Sequence, residues 1–142
     1  MRIVDVLRNK GSAVATISPD ALVRHLLADL ASANIGAMVV VDAAGVAGMV
    51  SERDVVRQLY AMGPTMLDGP VAAIMTNAVA TCSLDDSIDK VSAQMTEHRV
   101  RHVPVLDGTT LVGIVSIGDV VKNRMEELEA EQRQLHSYIT QG

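Results

Sequence analysis

The chain has 142 residues and a formal net charge of −5, and it contains neither Phe nor Trp. This length allows one domain or two half-size units that share one core. The acidic balance argues against a protein that tracks nucleic-acid phosphates, because such proteins combine a basic stripe with aromatic stacking residues.

A single cysteine, Cys82, excludes an internal disulfide, and the four His are not combined with it in a metal-ligand spacing. No apolar run has the length of a membrane span, and the N-terminus lacks the apolar region of a signal peptide. We therefore expect a soluble cytoplasmic protein without a metal.

The sequence aligns with itself without a gap at a constant offset of 65 residues, as from Gly48 to Gly113. Gly48–Val56 matches Gly113–Val121, and Val14–Thr16 matches Val79–Thr81. An internal repeat over most of the chain predicts a tandem duplication. The predicted parts are a first repeat (1–63), a linker rich in Gly and Pro (64–70), a second repeat (71–124) and a C-terminal helical extension (125–142).

Each repeat is predicted to begin with a short strand and a helix. Ser18 and Ser83 follow the strands and supply the hydroxyl that often caps a helix N-terminus. Apolar residues then recur every three or four positions, which indicates a helix with one buried face. The predicted bounds are 13–17 and 79–82 for the strands, and 20–33 and 84–98 for the helices.

Two apolar runs joined by a turn with Asp and Gly follow in each repeat and predict a hairpin. A second helix comes after each hairpin, and the second one continues toward the C-terminus. The hairpins are predicted at Ala37–Val41 with Val46–Val50 and at Val103–Leu106 with Leu111–Val115, and the helices at 52–62 and from 117 onward.

The last helix carries apolar side chains at alternating spacings of four and three, with one polar interruption. This seam is typical of helix association but is short for a coiled coil. It either packs back on its own module or forms a homodimer contact. Its residues are Val121, Met125, Leu128, Gln132, Leu135 and Ile139.

With two β-α-β-β-α repeats that each end their hairpin in Gly-apolar-Val-Ser-x-x-Asp, the chain resembles a pair of CBS domains over about residues 3–124. Arg101–Val105 is similar to the second-strand motif of that family, whereas the first repeat has Gly36–Val40 there. The resemblance implies an α/β (α+β) fold of two repeats about a pseudo-two-fold axis. It also implies clefts that bind AMP, ADP, ATP, NAD or S-adenosylmethionine and serve a regulatory role such as energy sensing.

The expected ligand-binding residues follow from the same resemblance. The Asp of each Ser-x-x-Asp motif can accept hydrogen bonds from a ribose, and the helix N-terminus can bind phosphate. The alternative is that Ser and Asp form a capping box, and that the first-strand Thr residues only favour strand formation. The candidates are Thr16, Ser51, Asp54, Thr81, Ser116, Asp119, Arg101 and His102.

Arg101 and His102 suit a phosphate, although a basic run can also be a solvated face. Because a cleft in the resembling family takes second-strand residues from the opposite repeat, we predict that both cations serve the cleft of Asp54. The two clefts should then be unequal.

The sequence is compared with three functions. They are a nucleotide-responsive module that regulates an unidentified protein, a ligand-independent dimeric interaction protein, and an enzyme. Catalysis has little support, since Cys82 has no base beside it in sequence and no glycine-rich phosphate loop is present.

Overall fold

A computed structural model describes residues 1–77 and 80–141. Its helices and strands follow the predicted order within each repeat, and a helix not predicted from the sequence precedes the first strand. The helices are α1 (Ile3–Lys10), α2 (Val23–Ala33), α3 (Glu52–Met62), α4 (Ile88–His98) and α5 (Ile117–Gln141). The strands are β1 (Thr16–Ile17), β2 (Ala37–Asp42), β3 (Gly45–Ser51), β4 (Thr76–Asn77), β5 (Cys82–Ser83), β6 (His102–Asp107) and β7 (Thr110–Ser116).

The strands form two sheets, one from each repeat. The first has the order β1-β2-β3-β4 and the second has the order β5-β6-β7. In both, a short parallel strand joins an antiparallel hairpin. The α/β fold of two equivalent repeats is thereby confirmed.

Each core is completed by the segment that precedes the first parallel strand, β1 or β5, of the other repeat. Ile3 and Leu7 of α1 are buried in the core of the second repeat. Met66 and Val71 are buried in the core of the first repeat. The two segments are attached alike, since the N–H of Ile3 donates to the carbonyl of Asp86 (2.9 Å) and the N–H of Val71 to that of Ala21 (2.8 Å). The two repeats are therefore interlocked.

Residues 64–70, predicted as a linker, include a 3-10 helix at Pro64–Asp68, and a second 3-10 helix spans Val71–Ala73. Met66, within the first of them, is 3% exposed. This linker is therefore a packed part of the first repeat, while the domain boundaries themselves stay a prediction.

The predicted starts of α2 and α4 at residues 20 and 84 were wrong. The hydroxyl of Ser18 accepts from the N–H of Asp20, two residues on, so it closes a local turn. The N–H of Ser83 donates to Asp86, and the hydroxyl that caps α4 belongs to Ser87. The first strand of each repeat, β1 or β5, is shorter than predicted. Val79, within the strand predicted at 79–82, lies outside the described residues.

The C-terminal helix α5 is 25 residues long. The five apolar seam residues are between 48% and 67% exposed, so the seam does not pack back on its own module. Among the residues that the structure describes, no helix is long and apolar enough to cross a membrane.

Candidate functional site

The Ser-x-x-Asp motif of the first repeat lies where β3 passes into α3. The N–H and hydroxyl of Ser51 both donate to Oδ2 of Asp54, at 2.9 and 3.1 Å. The N–H of Asp54 donates in return to Oγ of Ser51 at 3.3 Å. These bonds form a capping box, in which the two side chains satisfy backbone donors at the helix N-terminus. We call this the first junction (Ser51–Asp54).

The second junction (Ser116–Asp119), between β7 and α5, has the same geometry. The N–H and hydroxyl of Ser116 donate to Oδ2 of Asp119 at 2.8 and 3.1 Å, and the N–H of Asp119 donates to Oγ of Ser116 at 3.3 Å. Both motifs therefore cap a helix, which was the structural alternative to ribose binding. Capping occupies one carboxylate oxygen, Oδ2, and leaves Oδ1 outside the capping box.

The two junctions differ in the group that faces the carboxylate. At the first, the hydroxyl of Thr76 lies 3.4 Å from Oδ1 of Asp54. Thr76 belongs to β4, which pairs with β3 through Met49. A strand of the first repeat's own sheet therefore covers this side of Asp54 with a neutral side chain.

At the second junction the carboxylate faces a cation. The ammonium of Lys10, at the end of α1, is 2.6 Å from Oδ2 of Asp119 and 2.8 Å from the carbonyl oxygen of Ile114. Both side chains are mostly covered, at 29% and 18% exposure. Burial raises the pKa of Asp119, but the hydrogen bonds from Lys10 and Ser116 and the lysine charge outweigh burial, so the pKa lies below its ordinary value. Asp119 is therefore an ionised, paired carboxylate.

The structure places His102 beside the second junction, since it pairs with Ser116 across β6 and β7. Burial, the charge of Lys10 and the charge of Arg101 lower the pKa of His102, whereas Asp119 raises it. His102 therefore belongs to the electrostatic surroundings of Asp119, and its assignment to the cleft of Asp54 stays a prediction. Arg101 is exposed, and its carbonyl accepts from the N–H of Ile117, the first residue of α5.

The equivalent positions of the first repeat carry no such cations. Ala37 pairs with Ser51 as His102 pairs with Ser116, and Gly36 accepts from the N–H of Glu52 as Arg101 accepts from Ile117. The carboxylate of Glu52 lies over Gly36, 3.2 Å from where a Cβ there would stand. The first junction therefore has a second acid where the second junction has basic side chains.

The two predicted threonines lie on or beside the first strand of each repeat, and both are exposed. Thr16 pairs with Val39 in the parallel ladder. The carbonyl of Thr81 accepts from the side-chain amide of Gln94 at 3.3 Å. Within 1–77 and 80–141, no hydrogen bond joins either threonine to Asp54 or Asp119, so their ligand role stays a prediction.

No group of three or more His, Cys, Asp and Glu that could hold a metal ion occurs among the described residues. Burial and the charge of Asp86 raise the pKa of Cys82 to about 12, although Lys90 acts in the other direction. The thiol is therefore protonated at neutral pH and unsuited to nucleophilic attack. Two surface concavities lie elsewhere, along α5 and between α1 and β7, and neither includes a predicted site residue.

Sequence reasoning missed Lys10 and Thr76, the residues that face the two carboxylates. Both lie near the start of their repeats, before the first parallel strand, β1 or β5. The apolar spacing of Ile3, Val6 and Leu7 indicates an amphipathic helix that ends at Lys10. That pattern could have shown that α1 packs on one of the repeats, but not which residue Lys10 contacts.

Comparison with known proteins places this geometry in a family. The CBS domain model matches residues 5–61 and 71–126. A mitochondrial CBS domain-containing protein of Arabidopsis thaliana is 32% identical over 99% of this chain and 72% of its own length.

Solved structures of CBS-domain proteins superpose on this chain. A CBS-domain containing protein from Agrobacterium tumefaciens superposes with a TM-score of 0.83 at 39% identity, covering 87% of this chain and 99% of its own. A CBS domain protein from Pyrobaculum aerophilum, complexed with AMP, superposes with a TM-score of 0.74 at 27% identity, covering 84% and 89%. The resemblance inferred from the repeated motif is thus confirmed, and the chain belongs to the CBS-domain family as a tandem pair of CBS domains.

Proposed function

We propose that the protein is a regulatory module that binds adenine nucleotides of the AMP, ADP, ATP or NAD class at its two junctions and does no chemistry on them. The observation that carries the proposal is the same Ser-x-x-Asp geometry, found twice at equivalent ends of a strand and a helix. The AMP complex of the Pyrobaculum protein supports the choice of ligand. We also propose a cytoplasmic location, because the lone cysteine suits a reducing compartment.

Capping and ribose binding are compatible at each junction. Oδ2 of Asp54 and of Asp119 is held by the capping serine, which fixes the carboxylate in position. Oδ1 can then accept a hydrogen bond from a ribose hydroxyl. At the first junction the one described donor to Oδ1 is the hydroxyl of Thr76, at a long 3.4 Å. A phosphate near the same point would meet the positive end of α3 or α5.

A binding module needs no activated nucleophile, and the state of the single cysteine is compatible with such a module. Cys82 is buried and protonated. A regulatory output requires that the nucleotide bind one arrangement of the protein more tightly than another. The interlocked segments link the two repeats, so a ligand that moves one junction can alter the other repeat.

The competing function is a ligand-independent interaction protein, in which the duplicated motif only caps helices. The complete capping boxes at both junctions favour it. The two functions predict different AMP affinities for a variant in which the carboxylate is retained but displaced.

Asp54→Glu and Asp119→Glu make that distinction. Glutamate preserves the Ser-x-x-Glu capping box, so the free energy of unfolding should stay within about 0.5 kcal/mol of the native protein. The carboxylate moves by one methylene, and we expect AMP affinity to fall by about 1.5–3 kcal/mol at that junction. Calorimetric titration with AMP and urea denaturation of each variant measure the two quantities.

Asp54→Ala and Asp119→Ala are the matched comparison, because alanine removes both the cap and the ribose acceptor. They should lose a similar affinity and in addition about 1 kcal/mol of stability. Native AMP affinity in both Glu variants would show that the carboxylates serve only as caps. A native protein without thermal stabilisation by nucleotides would also favour the ligand-independent function, since a ligand at 100 times its Kd adds roughly 2.7 kcal/mol.

The proposed partner for the exposed seam of α5 is a second copy of the chain. A heptad-like seam is self-complementary, because apolar knobs on one helix fit the gaps on an identical helix, and Gln132 would fix the register. α3 adds further exposed apolar side chains to the same module. They are Val56, Leu59, Tyr60 and Met62.

Light scattering tests the homodimer. Leu128→Glu places a charge in the seam and should convert the dimer to a monomer, whereas Gln134→Glu adds the same charge outside the seam and should not. A chain that ends at Lys122 should also be monomeric. A monomeric mass for the native protein would contradict the proposal, and a dimer that survives both changes would move the interface to α3.

A further inference from the structure

We propose that Lys10 makes the second junction selective for phosphorylated adenosine, while the first junction prefers adenosine without a phosphate. This proposal rests on the proposed function and extends it, because it assigns a ligand charge to each junction and names the residue that decides it. It also differs from the expectation from the sequence, in which Arg101 and His102 bind phosphate in the cleft of Asp54.

The charges beside the two carboxylates have opposite balances. The second junction has Lys10 and Arg101 against Asp119, with the half-buried imidazole of His102 between them. The first junction has Glu52 and Asp54 against one exposed arginine, Arg53. Counting these side chains alone, the second junction carries one net positive charge and the first carries one net negative charge. An anionic ligand is therefore attracted to one and repelled by the other.

The ammonium of Lys10 is held where it can serve a ligand. The carbonyl of Ile114 anchors it at 2.8 Å, and the carboxylate of Asp119 receives it at 2.6 Å. An ammonium has three N–H donors, so one donor remains beyond these two contacts. The side chain leaves the C-terminal end of α1, a helix that the core of the second repeat fixes through Ile3 and Leu7.

A ribose can reach Asp119 without expelling Lys10. Oδ2 accepts from Lys10, from the N–H of Ser116 and from the hydroxyl of Ser116, whereas no described residue donates to Oδ1. A nucleoside bound through a ribose hydroxyl at Oδ1 would lie beside the carboxylate that Lys10 contacts, and we propose that it binds with its 5′ substituent toward the ammonium. A phosphate there accepts the third N–H of the ammonium, whereas the hydroxyl of adenosine gains no charge-assisted bond.

The first junction should favour an uncharged nucleoside over a phosphorylated one. The carbonyl of Met49, which corresponds to that of Ile114, lies on the edge of β3 that β4 covers. The hydroxyl of Thr76 contacts Oδ1 of Asp54, whereas Lys10 contacts Oδ2 of Asp119. A phosphate at this point would meet two carboxylates and no lysine, while an uncharged nucleoside avoids that repulsion.

The alternative role for Lys10 is a staple that attaches α1 to β7. A staple affects all ligands of the second junction equally, since it only holds the junction in shape. A phosphate-selecting residue affects phosphorylated ligands and leaves adenosine unchanged. The two roles therefore differ in a ratio of affinities rather than in overall binding or stability.

The test is an NMR titration of the full-length protein with AMP and, separately, with adenosine. The backbone amides of Gly118 and Arg53, each the second residue of its helix, report the second and first junction. In the native protein the Gly118 signal should move at a lower AMP concentration than the Arg53 signal, and adenosine should show the reverse order. Lys10→Met should raise the AMP midpoint at Gly118 by about tenfold and the adenosine midpoint by less than about twofold.

Two controls isolate the charge of Lys10. Arg8→Met removes a cation from the same helix, where Arg8 is exposed and pairs with Asp5, and should leave both midpoints unchanged. Lys10→Arg keeps the charge and should retain most of the preference for AMP. Thermal denaturation of each variant verifies that the fold persists.

Equal losses for AMP and adenosine in Lys10→Met would overturn the proposal in favour of the staple. Equal midpoints at Gly118 and Arg53 in the native protein would overturn it as well. If AMP and adenosine moved neither signal, the proposed function would fail together with this extension. Nucleotide binding at both junctions without charge preference would defeat the extension alone.

Discussion

The two repeats have nearly the same junction and different surroundings. The hydrogen bonds from Ser51 to Asp54 and from Ser116 to Asp119 agree within 0.1 Å (2.9, 3.1 and 3.3 Å against 2.8, 3.1 and 3.3 Å). The local sequence sets this geometry, because a capping box needs only residues three apart.

What faces each carboxylate comes from outside the repeated stretch. β4 brings the neutral Thr76 to Asp54, and α1 brings the charged Lys10 to Asp119. The two junctions therefore share their local geometry, while the segments before β1 and β5 set which side chain faces each carboxylate. Predictions that compare equivalent positions in the two repeats test this view.

The largest effect is expected at Ile3, near the start of the chain. Its side chain is fully buried in the second repeat's core, and its N–H is bonded to Asp86. Ile3→Ala should cost about 2–5 kcal/mol in the free energy of unfolding, measured with urea, because it leaves a cavity in that core.

Ile3→Val is the graded control and should cost about 0.5–1.5 kcal/mol. A cost below about 1 kcal/mol for Ile3→Ala would mean that α1 is not part of the folded core. Lys10 would then lose its fixed support, and the difference between the two junctions would have to come from Arg101 and His102.

An intermediate effect should separate two equivalent glycines. A Cβ at Gly48 would stand 2.5 Å from the backbone oxygen of Thr76, whereas one at Gly113 would stand 2.7 Å from a methyl carbon of Leu7. The backbone of β4 can yield only by leaving its place in the sheet. Leu7 borders a surface concavity and can change its side-chain conformation.

Gly48→Ala should therefore cost about 1–3 kcal/mol, and Gly113→Ala less than about 1 kcal/mol. Urea denaturation of the two variants measures the difference. Equal losses of stability would show that α1 yields to an added Cβ no more easily than β4 does. Gly48→Ala should also weaken the contact between Thr76 and Asp54, since it displaces β4.

The sequence predicted the elements whose signals are local. The hairpin predicted at Ala37–Val41 and Val46–Val50 forms as β2 and β3, because an apolar run and the turn beside it act over short distances. The helix starts failed although they were also local, since Ser18 and Ser83 can close a turn as well as a helix N-terminus, and the sequence does not decide between the two.

In the candidate site, too, local patterns were predicted and long-range contacts were not. The Ser and Asp of each junction were found from their repetition. The ion pair between Lys10 and Asp119 joins residues 109 positions apart, and no local pattern encodes such a contact. His102 was chosen as a candidate residue, but its place beside Ser116 was not predicted. Its position depends on the register of β6 against β7, which only the folded sheet reveals.

The smallest expected effect is a pH dependence that His102 confers on the second repeat, where the first repeat has Ala37 at the equivalent position. Burial, Lys10 and Arg101 hold the pKa of His102 below its ordinary 6.5 despite the opposing charge of Asp119. Between 6.5 and that lower value, the unfolded chain binds a proton that the folded protein does not. The free energy of unfolding contributed by His102 is thus complete above about pH 6.5 and is lost as the pH falls toward the folded pKa.

His102→Ala, which reproduces Ala37 of the first repeat, should reduce the loss of stability between pH 7 and pH 5.5 in urea denaturation. Asp119, whose lowered pKa starts from 3.8, contributes its own loss at more acidic pH, so the two windows are separate. Lys10→Met removes one cause of the lowered His102 pKa and should raise it in an NMR titration of the imidazole. An unchanged pKa in that variant would mean that the ammonium does not act on the ring, and the charge balance assigned to the second junction would be incorrect.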